Sequence, residues 1–89
     1  MEEGNVIQAN IAVYPLLQTD YRGVRLAVEA LRESAVEVRE GTLSTVVMGP
    51  AGAVFQAMER AFAAARSAGP TVMTVTVTDA CPLPDTGEK

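Results

Sequence analysis

The run "VVMGPAGAVFQAMERAFAAARSAGPTVMTVTVT", Val46–Thr78, reads as a strand, a helix and a second strand. Its end alternates: Thr71, Val72, Met73, Thr74, Val75, Thr76, Val77, Thr78, a period of two that makes a half-buried strand with a hydroxyl row on one face. In the middle, Pro50 opens a helix expected over Ala51–Ala68, with Val54, Phe55, Met58, Ala61, Phe62 and Ala65 as its buried stripe. Gly69 ends that helix and Pro70 prevents its return.

The first half has the same design. Val6–Leu16 opens with Ile7, Ala9, Ile11 and Val13 alternating against Gln8, Asn10, Ala12 and Tyr14, and Pro15 stops the strand. Asp20 can cap a helix running to about Ser34, whose apolar positions Val24, Ala27, Val28, Leu31 and Ala35 form one stripe. Arg22, Arg25, Glu29, Arg32 and Glu33 then make a solvated charged face. "VEVREGTLSTVVMG" holds two short strands around Glu40-Gly41, where Gly41 can supply the positive φ of a tight hairpin. The order is strand, helix, strand, strand, helix, strand. With right-handed crossovers it gives an α+β, ferredoxin-like sandwich: a four-stranded antiparallel sheet with both helices on one face. One domain is expected over residues 1–82, with residues 83–89 as a flexible tail.

Two helices cover one side of such a sheet. Ile7, Ala9, Ile11 and Val13, with Met73, Val75 and Val77, should meet them, leaving Gln8, Asn10, Ala12, Tyr14, Val72, Thr74, Thr76 and Thr78 on the open side. The first and last strands are expected to flank different neighbours while presenting the same short, polar, flat surface. The third strand is apolar on both parities, Leu43 and Val47 on one and Val46 and Met48 on the other, so it should be buried on both faces. A second copy of the chain is the simplest cover for its outer face. The threonine row by itself is equally a solvated β surface. Gln8 and Asn10 add amides that donate and accept, and Tyr14 adds a ring for stacking.

Composition narrows the function. The chain has 89 residues, 48% of them hydrophobic, with two Tyr, two Phe and no Trp, so its core is aliphatic. A net charge of −4 and a pI near 4.6 argue against a nucleic-acid partner. Without histidine, the usual zinc and iron sites, a serine triad through Ser34, Ser44 or Ser67, and a histidine base are all excluded. No cofactor, no metal and no enzymatic activity are expected. The single Cys81 is expected to pack at the end of the last strand. "GPAG" at residues 49–52 precedes a helix but lacks the lysine and spacing of a phosphate loop. "PLLQTD" at residues 15–20 lacks the basic glycine-rich loop of acylphosphatases and the cysteine pair of small metal carriers. No apolar run reaches the roughly 20 residues of a membrane span. The acidic "MEEGNVIQ" is unlike a secretory signal, so a cytoplasmic location and no membrane partner are expected.

Four segments in order carry a resemblance: "YPL" at Tyr14–Leu16, "STVVMG" at Ser44–Gly49, "AVFQAMERAFAAA" along the second helix, and "VTVTDACP" closing with Cys81 and Pro82. Together they resemble the thiamine-binding, YkoF-like family of ferredoxin-like proteins, over Ile7 to Pro82. The resemblance implies binding of thiamine or its hydroxymethylpyrimidine half without catalysis, as carrier or sensor in salvage or transport. Some members fuse two copies of the domain. This chain holds one, so a homodimer or a dimer of dimers would rebuild the paired sheets. Positions matching the family's pocket between sheets are Tyr14, Ser44, Thr45, Met48 and Thr74. Gln8, Asn10 and the hydroxyls, Thr76 among them, suit an aminopyrimidine edge, and Glu37, outward on the second strand, suits the cationic thiazolium. The alternative is an oligomeric regulatory or interaction module with no small-molecule ligand.

Overall fold

The computed structural model describes residues 6–41 and 44–80. The expected features at Leu43 and Cys81, and the tail at 83–89, lie outside the described residues. The elements are β1 (Val6–Pro15), α1 (Arg22–Arg32), β2 (Glu37–Glu40), β3 (Thr45–Pro50), α2 (Ala51–Arg66) and β4 (Thr71–Thr78). The strands form one antiparallel sheet in the order β2-β3-β1-β4. This is the ferredoxin-like α+β sandwich, in which each helix crosses over the strand lying between the two it connects.

The core sits between helices and sheet. Ala9, Ile11 and Val47 rise from the sheet to meet Ala27 and Leu31 of α1 and Val54, Ala57, Met58, Ala61 and Ala65 of α2. Ile7, Val13, Met73 and Val75 pack around them. No polar or charged side chain is buried among the described residues. Small residues let the helices approach closely: a Cβ placed on Gly23 would lie 3.2 Å from the Ala65 carbonyl oxygen.

Several local expectations are corrected. Both helices are shorter than the apolar pattern implied, ending at Arg32 and Arg66. Ala35 falls beyond α1 and is exposed. Asp20 stands two residues before α1 and its carboxylate accepts the Arg22 backbone N–H at 3.1 Å. Gly41 does not have a positive φ; its N–H donates to the Ser44 carbonyl at 2.8 Å, and a Cβ there would sit 3.0 Å from that same oxygen. Close approach, rather than backbone handedness, explains the glycine. Positive φ occurs instead at Gly69 (146°) and Leu17 (56°). Gln18 fastens the loop that Leu17 turns: its Nε2 donates to the Pro70 carbonyl at 2.7 Å, which also accepts the Leu16 N–H at 2.9 Å.

The largest departure is on α2. Phe55 and Phe62 were expected in the buried stripe, but they are 54% and 36% exposed. Alanines 57, 61 and 65, each 0% exposed, fill the contact with the rest of the core. A helix over one sheet buries a limited arc, and the close approach of α1 turns that arc toward the small residues.

Candidate functional site: the open sheet face

Strand register fixes which side chains share the open face. Glu37 pairs with Met48, Met48 with Gln8, and Gln8 with Thr78, so these four form one row across the whole sheet. The next row is Arg39, Val46, Asn10 and Thr76. Beyond β3, Ala12 pairs with Thr74 and Tyr14 with Val72. β1 and β4 are direct neighbours, with β3 on the other side of β1. The amides of β1 therefore stand beside the threonines of β4.

The parity of β3 is settled by the same register. Val47 is 0% exposed and paired to Ala9, so Val46 and Met48 point to the open side, where both are half-buried. Thr45 pairs with Ile11 and lies on the helix-facing parity. With Ser44 it lines a separate slot of about 140 Å3 between α1 and the β2–β3 hairpin, next to Leu31 and Glu40. Of the predicted site residues, the fold thus gathers Gln8, Asn10, Tyr14, Glu37, Met48, Thr74 and Thr76 on one surface and takes Ser44 and Thr45 elsewhere.

The polar groups of this surface are free to meet an outside partner. Among the described residues, no hydrogen bond joins the side chains of Gln8, Asn10, Thr74 or Thr76 to another residue. Thr78 is engaged, accepting the Ala80 N–H at 3.0 Å. Glu37 is not a lone carboxylate: Arg39, two residues along the same strand face, comes within 3.7 Å of it. Strand period alone points to Arg39, which the sequence reading passed over. Tyr14, 51% exposed, belongs to two surfaces, because it also walls a hollow of about 340 Å3 with Gln18, Asp20 and Tyr21. Cross-strand neighbours on one face stand about 4.5–5.5 Å apart at Cβ. One planar heterocycle laid here can touch Met48, Gln8 and Asn10 together. The face is flat, so it solvates or stacks a ligand without enclosing it.

Among the described residues there is no group of three or more His, Cys, Asp or Glu able to hold a metal ion, and no helix long and apolar enough to cross a membrane.

Comparison with known proteins adds three findings. Residues 6–84 match the model of the YKOF-related family. No curated protein matches the chain. Among solved structures, a hypothetical protein from Methanocaldococcus jannascii superposes with a TM-score of 0.80 at 17% identity, covering 94% of this chain and 90% of the other. A domain of unknown function, DUF77, from Bacillus cereus gives 0.74 at 20% identity, covering 83% and 75%. A Thermotoga maritima protein described as a candidate thiamine biosynthesis/salvage protein gives 0.71 at 15% identity, covering 81% of each chain. At these identities the structural likeness establishes the fold alone.

Proposed function

The chain belongs to the YKOF-related family, and on that footing we propose that it binds thiamine or its hydroxymethylpyrimidine moiety, without catalysis, at the open face of a homo-oligomer. It would act as a carrier or sensor in thiamine salvage or transport, in the cytoplasm. The observation that carries this reading is the contiguous set Gln8, Asn10, Thr74 and Thr76, whose polar groups have no partner among the described residues. An aminopyrimidine offers a donor beside ring acceptors, which amides and hydroxyls match. Met48, outward and half-buried beside Gln8, offers a thioether for the ring face. Glu37 and the face of the Tyr14 ring are the two candidates for the cationic thiazolium, and the Arg39 contact with Glu37 favours Tyr14. A second copy laid over Val46 and Met48 would close the flat surface into a pocket.

Calorimetric titration with thiamine, its phosphates and hydroxymethylpyrimidine tests the reading. A net hydrogen bond is worth about 1 kcal/mol, so Asn10→Ala or Thr74→Val should each weaken binding about 5-fold, with no loss of fold. Silence toward all these ligands would leave the other reading, an oligomeric interaction module, which the outward apolar pair Val46 and Met48 favours.

A further inference from the structure

We infer that the hollow between the end of β1 and the start of α1 is a binding site for a compact organic cation, with the rings of Tyr14 and Tyr21 as walls and the Asp20 carboxylate as countercharge. The hollow measures about 340 Å3, within the range of small-molecule sites, roughly 300–1,000 Å3. Both tyrosines of the chain line it, together with Pro15, Gln18, Thr19 and Asp20. Asp20 is thus the one charged group in its lining, and the site repels anions. Both rings are more than half exposed. Their faces hold none of the chain's own cations: among the described residues the one cation set over a ring is Arg66, 6.0 Å from the centre of Phe62. A ring face attracts a cation through its quadrupole, and a carboxylate beside two such rings adds a full opposite charge.

The loop that builds the hollow is held in a costly shape. Leu17 has a φ of 56°, in the left-handed region that non-glycine residues seldom adopt, and its side chain is 95% exposed, so burial does not offset the strain. Its neighbours fix the turn instead. Gln18 Nε2 donates to the Pro70 carbonyl at 2.7 Å, and the Asp20 carboxylate accepts the Arg22 N–H at 3.1 Å. Strain kept in place by surrounding bonds marks a segment whose shape does more than pack. Here that shape brings Tyr14, at the end of β1, and Tyr21, at the foot of α1, to one hollow with a carboxylate. Two positive terms oppose a cation there. The N-terminus of α1 is worth about half a unit charge, less than the full charge of Asp20, which already accepts one of its N–H groups. Arg22 lines a neighbouring hollow with Asp20, but among the described residues the two form no ion pair. The chain's net charge of −4 adds a weak attraction. Walls this exposed give millimolar rather than micromolar affinity.

A free quaternary ammonium and the thiazolium of a thiamine lying on the open face carry the same kind of charge, and Tyr14 is common to both surfaces; the second source rests on the function proposed above. With no tryptophan in the chain and both tyrosines in the hollow, tyrosine fluorescence is a direct reporter of occupancy. Choline should change that emission saturably at millimolar concentration, while its uncharged isostere dimethylbutanol, and sodium chloride at matched ionic strength, should not. Tyr21→Leu and Asp20→Asn should each weaken choline binding about 2–5-fold. Asparagine keeps an acceptor for the Arg22 N–H, so the far-UV spectrum of Asp20→Asn should be unchanged. If the thiazolium is the occupant instead, choline is silent, and calorimetry should show Asp20→Asn weakening thiamine by about the same factor while hydroxymethylpyrimidine, which lacks the cationic ring, binds as before. The inference is overturned if choline acts no differently from its isostere or from salt and Asp20→Asn leaves thiamine binding unchanged. It is overturned equally if choline binding survives both substitutions undiminished. Failure of the proposed function shows otherwise, as silence toward thiamine and hydroxymethylpyrimidine while choline still titrates.

Discussion

Gly23 and Gly52 are each the second residue of a helix, so replacing either with alanine removes the same backbone freedom from the unfolded chain. That term stabilises by about 0.4–1 kcal/mol where the new methyl meets nothing. At Gly52 a Cβ finds no atom within 4 Å. At Gly23 it would stand 3.2 Å from the Ala65 carbonyl oxygen, 3.6 Å from Gln18 Oε1 and 3.7 Å from the Ala68 Cβ. The first of these is backbone, and it is fixed: the Ala65 carbonyl accepts the Ala68 N–H at 3.1 Å at the end of α2. Relieving the contact means moving α1 off α2, an overpacking cost of about 1–3 kcal/mol. Gly52→Ala should therefore raise Tm, by about 2–6 °C for a domain of this size, while Gly23→Ala should lower it by a similar or larger amount. Thermal unfolding followed by circular dichroism checks this, at one protein concentration so that assembly does not enter the difference. Equal shifts of the same sign would refute the close packing of α1 on α2, and with it the reason Phe55 and Phe62 are turned outward.

Two further substitutions probe the scaffold. Leu31, 1% exposed and central to the core, should cost about 2–5 kcal/mol when cut to alanine, read as a lower guanidinium midpoint at unchanged slope. Glu40 pairs with Arg32 across the end of α1 and the β2–β3 hairpin, but both side chains are about half exposed, at 49% and 54%. Glu40→Gln should cost less than about 1 kcal/mol, and raising the salt to 1 M should erase most of the difference.

The fold was legible because each long element carries a single clean period. β1 and β4 alternate, α1 and α2 carry stripes, and Pro50, Gly69 and Pro70 punctuate them. What a period does not specify is how wide an arc the rest of the molecule covers. Phe55 and Phe62 lie on the edge of the α2 stripe, and the glycine and alanines at the α1–α2 contact decide that they stay outside. Nor does alternation specify register. Ser44 and Thr45 enter the candidate pocket together through the family resemblance, although neighbours in a strand point to opposite sides; pairing with Ile11 sends Thr45 toward the helices. The β3 sequence leaves parity open because both its sides are apolar, and only the Val47–Ala9 pairing resolves it. Gly41 was read for its handedness, but its reason is a carbonyl three residues on, which no local pattern displays.

Three features of this chain depart from what a solitary domain needs: β3 is apolar on its outer side, α2 carries two uncovered phenylalanines, and β4 ends the sheet without a charge. All have the same physical form, apolar or hydrogen-bonding area that the described residues leave unpaired. An 89-residue chain buries a modest fraction of its surface, so cover from a second copy adds proportionately more to its stability than it would to a larger domain. The open face adds a further constraint. A flat sheet cannot exclude water from a small heterocycle, so tight binding there requires the same contact that covers Val46 and Met48. Ligand and assembly then become linked: whatever favours the closed pair raises affinity, and the ligand in turn favours the pair by the same factor. A free monomer with full affinity would break that linkage and place the binding surface in a concavity that a single chain builds unaided, the slot that holds Ser44 and Thr45 or the hollow walled by Tyr14.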